Sequence, residues 1–262
     1  MDEINLKPVA YVISPVEEPD EMPLGGKDAV IEFLPEYAEA LQGLEENSHI
    51  WVLSWFHKSP RDILKIRPGK VNPDLPEYGV FALRSYTRPN PIGLSLVRLE
   101  RVEGNRVHVL GLDAIGGTPV LDIKPYYEND IVFSPLTPYI RGKSREMRQG
   151  MIKKHAFVHH GEECMDMLVG VRMAAIAEDR FGHLNSSDLM VNVQGSPCLA
   201  DTIQGISRAR LANPPRFTYI NVENSSETIW TKNNQTLTIR LKGEFTRDDL
   251  ENLVDEDLFD IF

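Results

Sequence analysis

The stretch Phe81-Ala-Leu-Arg-Ser-Tyr-Thr-Arg-Pro-Asn-Pro-Ile-Gly-Leu-Ser95 joins a rigid turn to the start of a strand. Pro89 and Pro91 fix φ and remove two backbone donors, and Gly93 has no Cβ. The Asn90 amide between the two prolines therefore lies on a narrow turn that a ligand can approach closely. A plain surface turn needs only one proline or glycine, so this stretch is predicted to form part of a binding site.

Short strand patterns surround this turn and predict a β-barrel. Runs of β-branched and aromatic residues predict strands at 9–15, 29–33, 48–58, 80–83, 94–102, 106–112 and 120–123. One short helix is predicted at 35–44, where a proline occupies the first turn, and prolines between 59 and 78 predict a long surface loop. Many short strands with a single helix favour a barrel over alternating β–α units.

The pattern changes after Tyr126 and predicts a second domain of α+β type. Residues 128–155 look like a loop and include a concentrated basic segment at 141–154. Helices are then predicted at 164–181 and 199–211, with strands at 188–193, 217–222 and 236–241. The acidic tail, residues 248–262, is predicted to pack as a final helix or to mediate an oligomer contact. We therefore expect a mainly β domain at 1–145 and an α+β domain at 146–262.

Composition limits the classes of protein that the chain can represent. The 262 residues carry a formal net charge of −11, which argues against nonspecific nucleic-acid binding but leaves room for a local basic patch. Apolar runs fall short of the roughly 18 residues that a membrane span needs. The N-terminus beginning Met1-Asp-Glu lacks a secretory signal pattern, so a cytoplasmic location is expected. The two cysteines are expected to be free buried thiols or metal ligands rather than a disulfide framework.

Two runs, Arg84–Ser95 and Gly117-Thr-Pro-Val-Leu-Asp-Ile-Lys-Pro-Tyr126, resemble the TsaA/TrmO-like family of S-adenosylmethionine-dependent methyltransferases. The resemblance extends upstream through the run Ser48–His57 and covers roughly residues 6–130. It implies a single-sheeted β-barrel that binds the cofactor near a homodimer interface. The best-known members of the family methylate N6 of threonylcarbamoyladenosine beside the tRNA anticodon, so tRNA is the first candidate substrate.

The resemblance also implies which residues hold the cofactor. Arg84 would pair with the cofactor carboxylate through two parallel N–H bonds, Leu94 would cover the adenine, and the Gly117 backbone would approach closely. The complete set of cofactor-binding residues that it implies is His57, Lys58, Arg84, Leu94, Gly117, Thr118 and Pro119.

Four further residues are assigned by hypothesis to the acceptor pocket and to catalysis: Asn90, Asp122, Lys124 and Tyr126. Asp122 and Lys124 share one strand face by their spacing, so a buried ion pair is the alternative. With a tRNA acceptor, the segment 141–154 would contact phosphates and Trp51 or Tyr86 would stack on a base. Burial in the core is the alternative for these two aromatic side chains.

Two departures from the tRNA-modifying members affect the choice of substrate. Leu24-Gly25 stands where those members have an Arg-Gln pair, and Gly116 stands where they have an acidic residue. The first change removes a cation, and the second removes a carboxylate. Three activities stay open: methylation of tRNA, methylation of a small molecule or protein presented by the second domain, and noncatalytic sensing of S-adenosylmethionine.

The second half resembles FmdE-like domains through three runs: His160-Gly-Glu-Glu-Cys164, Gly170–Ala174 and Cys198–Gln204. Such domains have a His-Gly-His-x-Cys run, and here Glu162 replaces the second histidine. The resemblance implies a metal site formed by His160, Cys164 and Cys198, which suits zinc with an open position. Buried free cysteines beside a hydrogen-bonded histidine are the alternative.

Overall fold

The computed structural model describes residues 4–262 and divides into two units. The first unit contains the chain up to residue 67 together with residues 76–131, and the second contains residues 68–75 and 132–262. The domain boundary between residues 145 and 146 stays a prediction, and it falls at the first residue of a helix, Arg145–His160. Met1-Asp-Glu, from which the absence of a secretory signal was inferred, lies outside the described residues.

The first unit is built around a closed antiparallel barrel, which confirms the predicted fold class. The barrel order is β1-β2-β7-β6-β3-β8, and β4 and β5 pair separately. The eight strands are β1 (Ala10–Ile13), β2 (Lys27–Phe33), β3 (His49–Trp55), β4 (Lys65–Ile66), β5 (Tyr78–Gly79), β6 (Ile92–Glu103), β7 (Arg106–Leu112) and β8 (Pro119–Pro125). Closure pairs every barrel strand on both sides and leaves no free edge.

Alternation along the strands separates the inside of the barrel from its outer face. On β3, Ile50, Val52 and Ser54 are buried inside, while the intervening Trp51 and Trp55 lie on the outer face and are half-buried. This two-residue period is the reason the strands could be predicted from the sequence.

Two local predictions differ from the structure in this unit. The helix predicted at 35–44 is a 3-10 helix, Pro35–Leu41. The strand predicted at 80–83 is wrong, because Val80–Ala82 is also a 3-10 turn. The carbonyls of Val80 and Leu83 accept hydrogen bonds from the Arg88 guanidinium at 2.9 and 2.7 Å, so they are not available for a strand ladder.

The second unit packs five helices against a five-stranded sheet, which confirms its α+β class. The helices are α1 (Arg145–His160), α2 (Met165–Phe181), α3 (Pro197–Ser207), α4 (Arg247–Asn252) and α5 (Asp255–Leu258). The strands, in sheet order, are β10 (Phe217–Asn221), β9 (Met190–Gly195), β11 (Glu227–Lys232), β12 (Gln235–Leu241) and β13 (Phe259–Ile261). None of the helices in the described chain is long and apolar enough to cross a membrane.

The structure corrects two expectations about the second unit. The loop predicted at 128–155 is wrong, because α1 begins at Arg145, where the Ser144 hydroxyl caps the helix by accepting a hydrogen bond from Met147 N at 3.1 Å. The strand β11 was not predicted. The acidic tail forms α4, α5 and the edge strand β13, which buries Leu258 and Phe259.

Candidate cofactor and metal sites

Most of the residues predicted to bind the cofactor lie at one end of the barrel. His57 and Lys58 follow β3, Asn90 precedes β6, and Gly117 leads into β8. The antiparallel pairings place these three termini together, since Trp55 lies opposite Ile92 and Ser54 lies opposite Val120. Residues that are far apart in the sequence are therefore neighbours at this end of the barrel.

The turn at 84–91 is held rigidly by Arg88, a role that the sequence did not reveal. Its guanidinium donates three hydrogen bonds to backbone carbonyls, including one from Nε to Ser85 O at 2.9 Å. The Ser59 hydroxyl donates to Tyr86 O at 2.6 Å and ties the turn to the segment after β3. A long side chain that caps several carbonyls fixes a loop without regular structure.

Among the predicted cofactor residues, the charged side chains differ in their pairing. Arg84 is exposed and, within the described chain, makes no hydrogen bond or ion pair. Lys58 Nζ lies 2.8 Å from Glu18 Oε1 and 3.0 Å from Glu17 O. His57 is exposed, and Leu94 retains 47% of its accessible surface on the outer face of β6. Arg84 is thus a cation without a partner beside an ordered turn.

The loop at Gly116, Gly117 and Thr118 forms a cradle with unsatisfied polar groups. Gly117 has a left-handed φ of 74°, and a Cβ placed on it would meet no atom within 4 Å. Thr118 is buried, and its hydroxyl makes no hydrogen bond among the described residues. Open space next to a glycine and a buried unpaired hydroxyl fit a polar ligand that supplies the missing contacts.

The structure changes the meaning of the two departures from the tRNA-modifying members. A Cβ placed on Gly116 would lie 2.5 Å from Glu17 Oε1, so the carboxylate of Glu17 occupies the space that a side chain at 116 would fill. The loop therefore keeps a carboxylate although residue 116 has none. Gly25 has a left-handed φ of 96°, which explains a glycine there, while Leu24 is exposed and provides no cation.

The four residues assigned to catalysis do not meet in one pocket of a single chain. Asn90 lies near Ile92 and Trp55, whereas Tyr126 N donates to His49 O at 3.1 Å at the opposite end of β3. Trp55 lies six residues along β3 from His49, which corresponds to about 20 Å.

The other two residues assigned to catalysis form an ion pair. Asp122 Oδ2 lies 2.7 Å from Lys124 Nζ, but both side chains are exposed, so the expectation of a buried pair is wrong. The Lys124 ammonium donates a hydrogen bond to Asp122, and this hydrogen bond raises the pKa of Lys124.

The basic segment at 141–154 is largely neutralised within the second unit. Arg141, Arg145 and Arg148 all contact the carboxylate of Asp179, at 2.9, 3.2 and 2.7 Å. Lys153 Nζ pairs with Glu163 at 2.8 Å. Cations that already have carboxylate partners have less to gain from a phosphate, so this segment is a weaker candidate for phosphate contacts than its composition predicted.

Four side chains in the second unit converge as a candidate metal site. One donor atom each from His160, Glu162, Cys164 and Cys198 lie within 4.8 Å of one another. The sequence prediction contained three of these residues and did not include Glu162. Asp201 Oδ2 lies 2.8 Å from His160 Nδ1, while His160 Nε2 lies 3.4 Å from Cys164 Sγ.

The chemistry of this donor set fits a zinc ion. Two sulfurs, one imidazole nitrogen and one carboxylate oxygen are typical zinc ligands, and the carboxylate on the far side of the imidazole orients it. Both cysteines are free. Burial, followed by the neighbouring Cys164, raises the pKa of the Cys198 thiol, which disfavours a bare thiolate here.

Comparison with known proteins identifies both parts of the chain. Residues 11–130 match the family model for the tRNA-methyltransferase O N-terminal domain. Residues 159–256 match the family model described as FmdE, molybdenum formylmethanofuran dehydrogenase operon.

Three relatives illustrate the range of similarity. A "Probable S-adenosyl-L-methionine-binding protein" of Archaeoglobus fulgidus is 34% identical over 221 residues, which is 80% of this chain but 60% of that protein. A protein of the same printed name from Methanothermobacter thermautotrophicus is 44% identical over 132 residues, 48% of this chain and 93% of that protein. The mouse "tRNA (adenine(37)-N6)-methyltransferase" is 51% identical over 94 residues, 35% of this chain and 21% of that protein. The chain belongs to the family of the tRNA-methyltransferase O N-terminal domain, here joined to an FmdE domain.

Proposed function

We propose that this protein is an S-adenosylmethionine-dependent methyltransferase that binds its cofactor at the barrel end formed by the termini of β3, β6 and β8. The observation that carries the proposal is the combination of an unpaired Arg84 with the open Gly117–Thr118 cradle. Relatives that are named for S-adenosylmethionine binding over this domain support the choice of ligand.

Each cofactor-binding residue has a role that follows from its chemistry. The Arg84 guanidinium would pair with the carboxylate of the methionine part, and the Thr118 hydroxyl would gain the hydrogen bond that it lacks. The Gly117 backbone allows close approach, and Leu94 would cover the adenine. His57, Lys58 and Pro119 complete the wall. When bound, the cofactor supplies an electrophilic sulfonium methyl group.

The protein's contribution to methyl transfer would be mainly positioning. Holding two reactants in near-attack geometry can account for about 7–11 kcal/mol of a barrier, so a catalytic base need not be evident in the sequence. The proton that the acceptor nitrogen loses on methylation would pass to water. Arg88 fixes the turn at 84–91 through its hydrogen bonds and so holds Asn90 in one position beside the proposed cofactor site. Asn90 would orient the acceptor nitrogen through its amide.

We propose a tRNA adenine as the acceptor, with N6 of threonylcarbamoyladenosine as the methylated atom. The printed name of the mouse relative supports this class of substrate. Trp51 and Tyr126 lie with ring centroids 6.0 Å apart on the barrel, and Lys124 follows Trp51 across the β3–β8 pairing. Two aromatic rings are suited to a stacked base, while Lys124 is already paired with Asp122 and is a weaker candidate for the phosphate. A cytoplasmic location is part of this proposal.

A homodimer would bring these separated groups together. Asn90 and Tyr126 lie beside opposite ends of β3. An acceptor site that uses both residues would therefore need a second copy of the chain. The outer face of β6 supports a self-complementary contact, since Ile92, Leu94 and Leu96 are all exposed there. Charged residues would be expected on a sheet face that remains in water.

A small-molecule acceptor is the second candidate, and a specific observation favours it. The arginines of segment 141–154 are engaged by Asp179, and Leu24 and Gly25 carry no cation where the tRNA-modifying members have one. An acceptor without phosphates would not need those cations.

The test is methyl transfer from cofactor carrying a labelled methyl group. The full chain is incubated with total tRNA and, separately, with a tRNA-free metabolite extract, using Arg84→Ala and Arg106→Ala beside the wild type. Label in a modified adenosine of tRNA, lost in Arg84→Ala and kept in Arg106→Ala, is the expected result. Label in the extract alone would favour the small-molecule acceptor. Cofactor binding without transfer to either would leave a noncatalytic sensor.

We also propose that His160, Glu162, Cys164 and Cys198 bind zinc. The support is the convergence of four donor atoms and the carboxylate that orients His160.

A further inference from the structure

The second unit contains a cavity that none of the assignments above uses. Its volume is about 370 Å³, and its walls come from α1, α2, the end of α3 and the segment 135–142. This volume is at the small end of the usual range for ligand pockets. Apolar side chains line much of it, among them Ile140, Met151 and Ile206, and polar groups converge on it from several elements.

The cavity is separate from the candidate zinc group. Cys198 is the second residue of α3, whereas Arg208, which lines the cavity, caps the other end of that helix. Ten residues at 1.5 Å each place these two positions about 15 Å apart along the helix axis. The two features therefore belong to different sites.

Glu178 provides an unsatisfied acceptor in the cavity wall. Only 9% of its surface is accessible, and Oε2 accepts no hydrogen bond among the described residues, although Arg148 Nε lies 3.3 Å away. Arg148 is shared with Asp179, to which it donates at 2.7 Å. The Tyr139 hydroxyl is buried beside the same carboxylate, and although it makes no hydrogen bond of normal geometry among the described residues, its interaction with Glu178 opposes the rise that burial causes in the pKa of that carboxyl. A buried polar group without a hydrogen bond destabilises the folded chain, and a ligand could supply the missing contact.

Arg208 provides an unpaired cation in the same wall. Its guanidinium lies 5.7 Å from the centre of the Phe133 ring, and in residues 4–262 it has no carboxylate partner. Burial lowers its pKa, as expected for a cation without a counter-charge. Its backbone is left-handed at φ 52°, and its carbonyl accepts a hydrogen bond from Ser134 Oγ at 2.6 Å, which holds the strained residue in place.

The groups that line the cavity favour a ligand with hydrogen-bonding and apolar features in addition to its charge. His155 also lines it, and burial together with the positive charge of Arg208 lowers the pKa of its imidazole, which keeps the ring neutral and able to donate one hydrogen bond. Arg148 also lines the cavity but is already engaged by Asp179 and Glu178, which leaves Arg208 as the cation without a carboxylate partner among the described lining residues. This cation, a carboxylate oxygen without a hydrogen bond and the apolar walls suit a ligand with one acidic group, one hydrogen-bond donor and a short apolar chain.

We propose that this cavity binds a small carboxylic acid that carries a hydrogen-bond donor on the neighbouring carbon and an apolar side chain, the chemistry of an α-amino acid or a 2-hydroxy acid. Its carboxylate would pair with Arg208, its donor would reach Glu178, and its side chain would pack on Met151 and Ile206. The proposal does not depend on methyl transfer or on the cofactor.

Calorimetric titration of the full chain tests this directly. The probes are L-leucine, L-methionine and 2-hydroxy-4-methylpentanoate, with 4-methylpentanoate as the analogue without a donor and 3-methylbutylamine as the analogue without a carboxylate. At least one of the first three is expected to bind, and each analogue is expected to bind about tenfold more weakly or not at all. Absence of binding by all of the first three at millimolar concentration would overturn the proposal.

Two variants and a matched control locate the binding. Arg208→Asn removes the cation but tolerates the left-handed backbone, and it is expected to weaken binding about tenfold or more. Arg210→Asn is the control, because Arg210 also lies 5.7 Å from the Phe133 ring centre but does not line the cavity. Glu178→Gln is expected to weaken the amino acids and to leave 4-methylpentanoate unchanged. Equal affinity of wild type and a folded Arg208→Asn, checked by circular dichroism, would contradict the assignment.

Discussion

Arg84 at the end of the barrel and the arginines of the segment 141–154 differ in their pairing. At the end of the barrel Arg84 is exposed and unpaired beside a turn that Arg88 makes rigid. In the second unit most arginines hold the fold together, as when Arg172 binds the buried carboxylate of Asp255 at 2.6 Å. The density of basic residues in the sequence is therefore a poor guide to cations that can bind a ligand, because a cation is most available where the protein leaves it unpaired.

The contrast also separates structural acids from functional ones. Asp179 and Asp255 each collect more than one arginine, and Asp255 is buried. Glu178, next to Asp179 in the chain, keeps an oxygen without a hydrogen bond. Neighbouring carboxylates thus differ in how they are paired with arginines and hydrogen-bond donors. Substitution of these groups tests whether the difference in pairing separates structural residues from ligand-binding ones.

Zinc binding is expected to show the largest effect. The wild-type chain purified with zinc is expected to retain about one ion, and Cys198→Ser is expected to lose it, because structural zinc sites contribute roughly 10–16 kcal/mol of apparent binding free energy. Elemental analysis measures the zinc content, and His183→Ala is the control from outside the four-residue group. A wild-type chain without zinc would show that the cysteines are free thiols.

Removing a buried arginine is expected to destabilise the second unit strongly. Arg172→Ala leaves Asp255 buried with only its contact to Arg145, and it removes hydrogen bonds to Leu250 O and Leu253 O. The expected loss is about 3–5 kcal/mol in the free energy of unfolding, measured by urea denaturation. Arg180→Ala, exposed near the end of the same helix, should change it by less than about 0.5 kcal/mol. Equal losses would contradict the division between structural and free arginines.

Gly93, in the stretch Phe81–Ser95, is expected to be required for packing at the end of the barrel. A Cβ on Gly93 would lie 2.4 Å from the Phe56 ring and 2.6 Å from Ser54 Oγ, so Gly93→Ala is expected to cost about 1–3 kcal/mol. Gly79→Ala is the matched control, because its added methyl group would meet no atom within 4 Å. Thermal or urea unfolding of the two variants distinguishes them, and identical midpoints would show that the barrel end can expand.

The smallest expected effect is a pH dependence at Glu178. Burial raises the pKa of this carboxyl above its unfolded value, against the opposing effects of Tyr139 and Arg148. The folded state then binds its proton more tightly, so stability falls as the pH rises from the unfolded pKa through the folded pKa. Glu178→Gln is therefore expected to be more stable than the wild type at neutral pH and to lose this advantage in acid. Urea titrations at several pH values measure the difference, and a constant difference would contradict it.

The sequence predicted the barrel well because alternation of apolar residues is a local signal. It failed at α1, where only Ile152 and Ala156 are buried and the helix is set by the Ser144 cap and the Gly161 terminus. Ion pairs between α1 and α2 also stabilise this helix. Such pairs depend on residues that are distant in the sequence.

For the candidate sites, the sequence indicated individual residues but not their contacts. The resemblance indicated Arg84, Gly117 and the candidate metal ligands, but it did not indicate the hydrogen bonds and ion pairs of each group. The carboxylate of Glu17 against Gly116 and the position of Glu162 beside Cys198 both depend on segments that meet only in the folded chain. The motif did mark the position of Glu162, which stands where the second histidine of the run is expected, but it could not report the contact between Glu17 and Gly116.

The central claim is that the barrel end binds S-adenosylmethionine through Arg84, and calorimetric titration tests it most directly. Wild-type chain, Arg84→Ala and Arg106→Ala are titrated with S-adenosylmethionine and with its demethylated product. Arg106 is exposed and pairs with Glu32, a surface contact whose loss should leave binding unchanged. The account predicts binding by wild type and Arg106→Ala, and about tenfold or weaker binding by Arg84→Ala. Undiminished binding by Arg84→Ala, or no binding by the wild type, would contradict it.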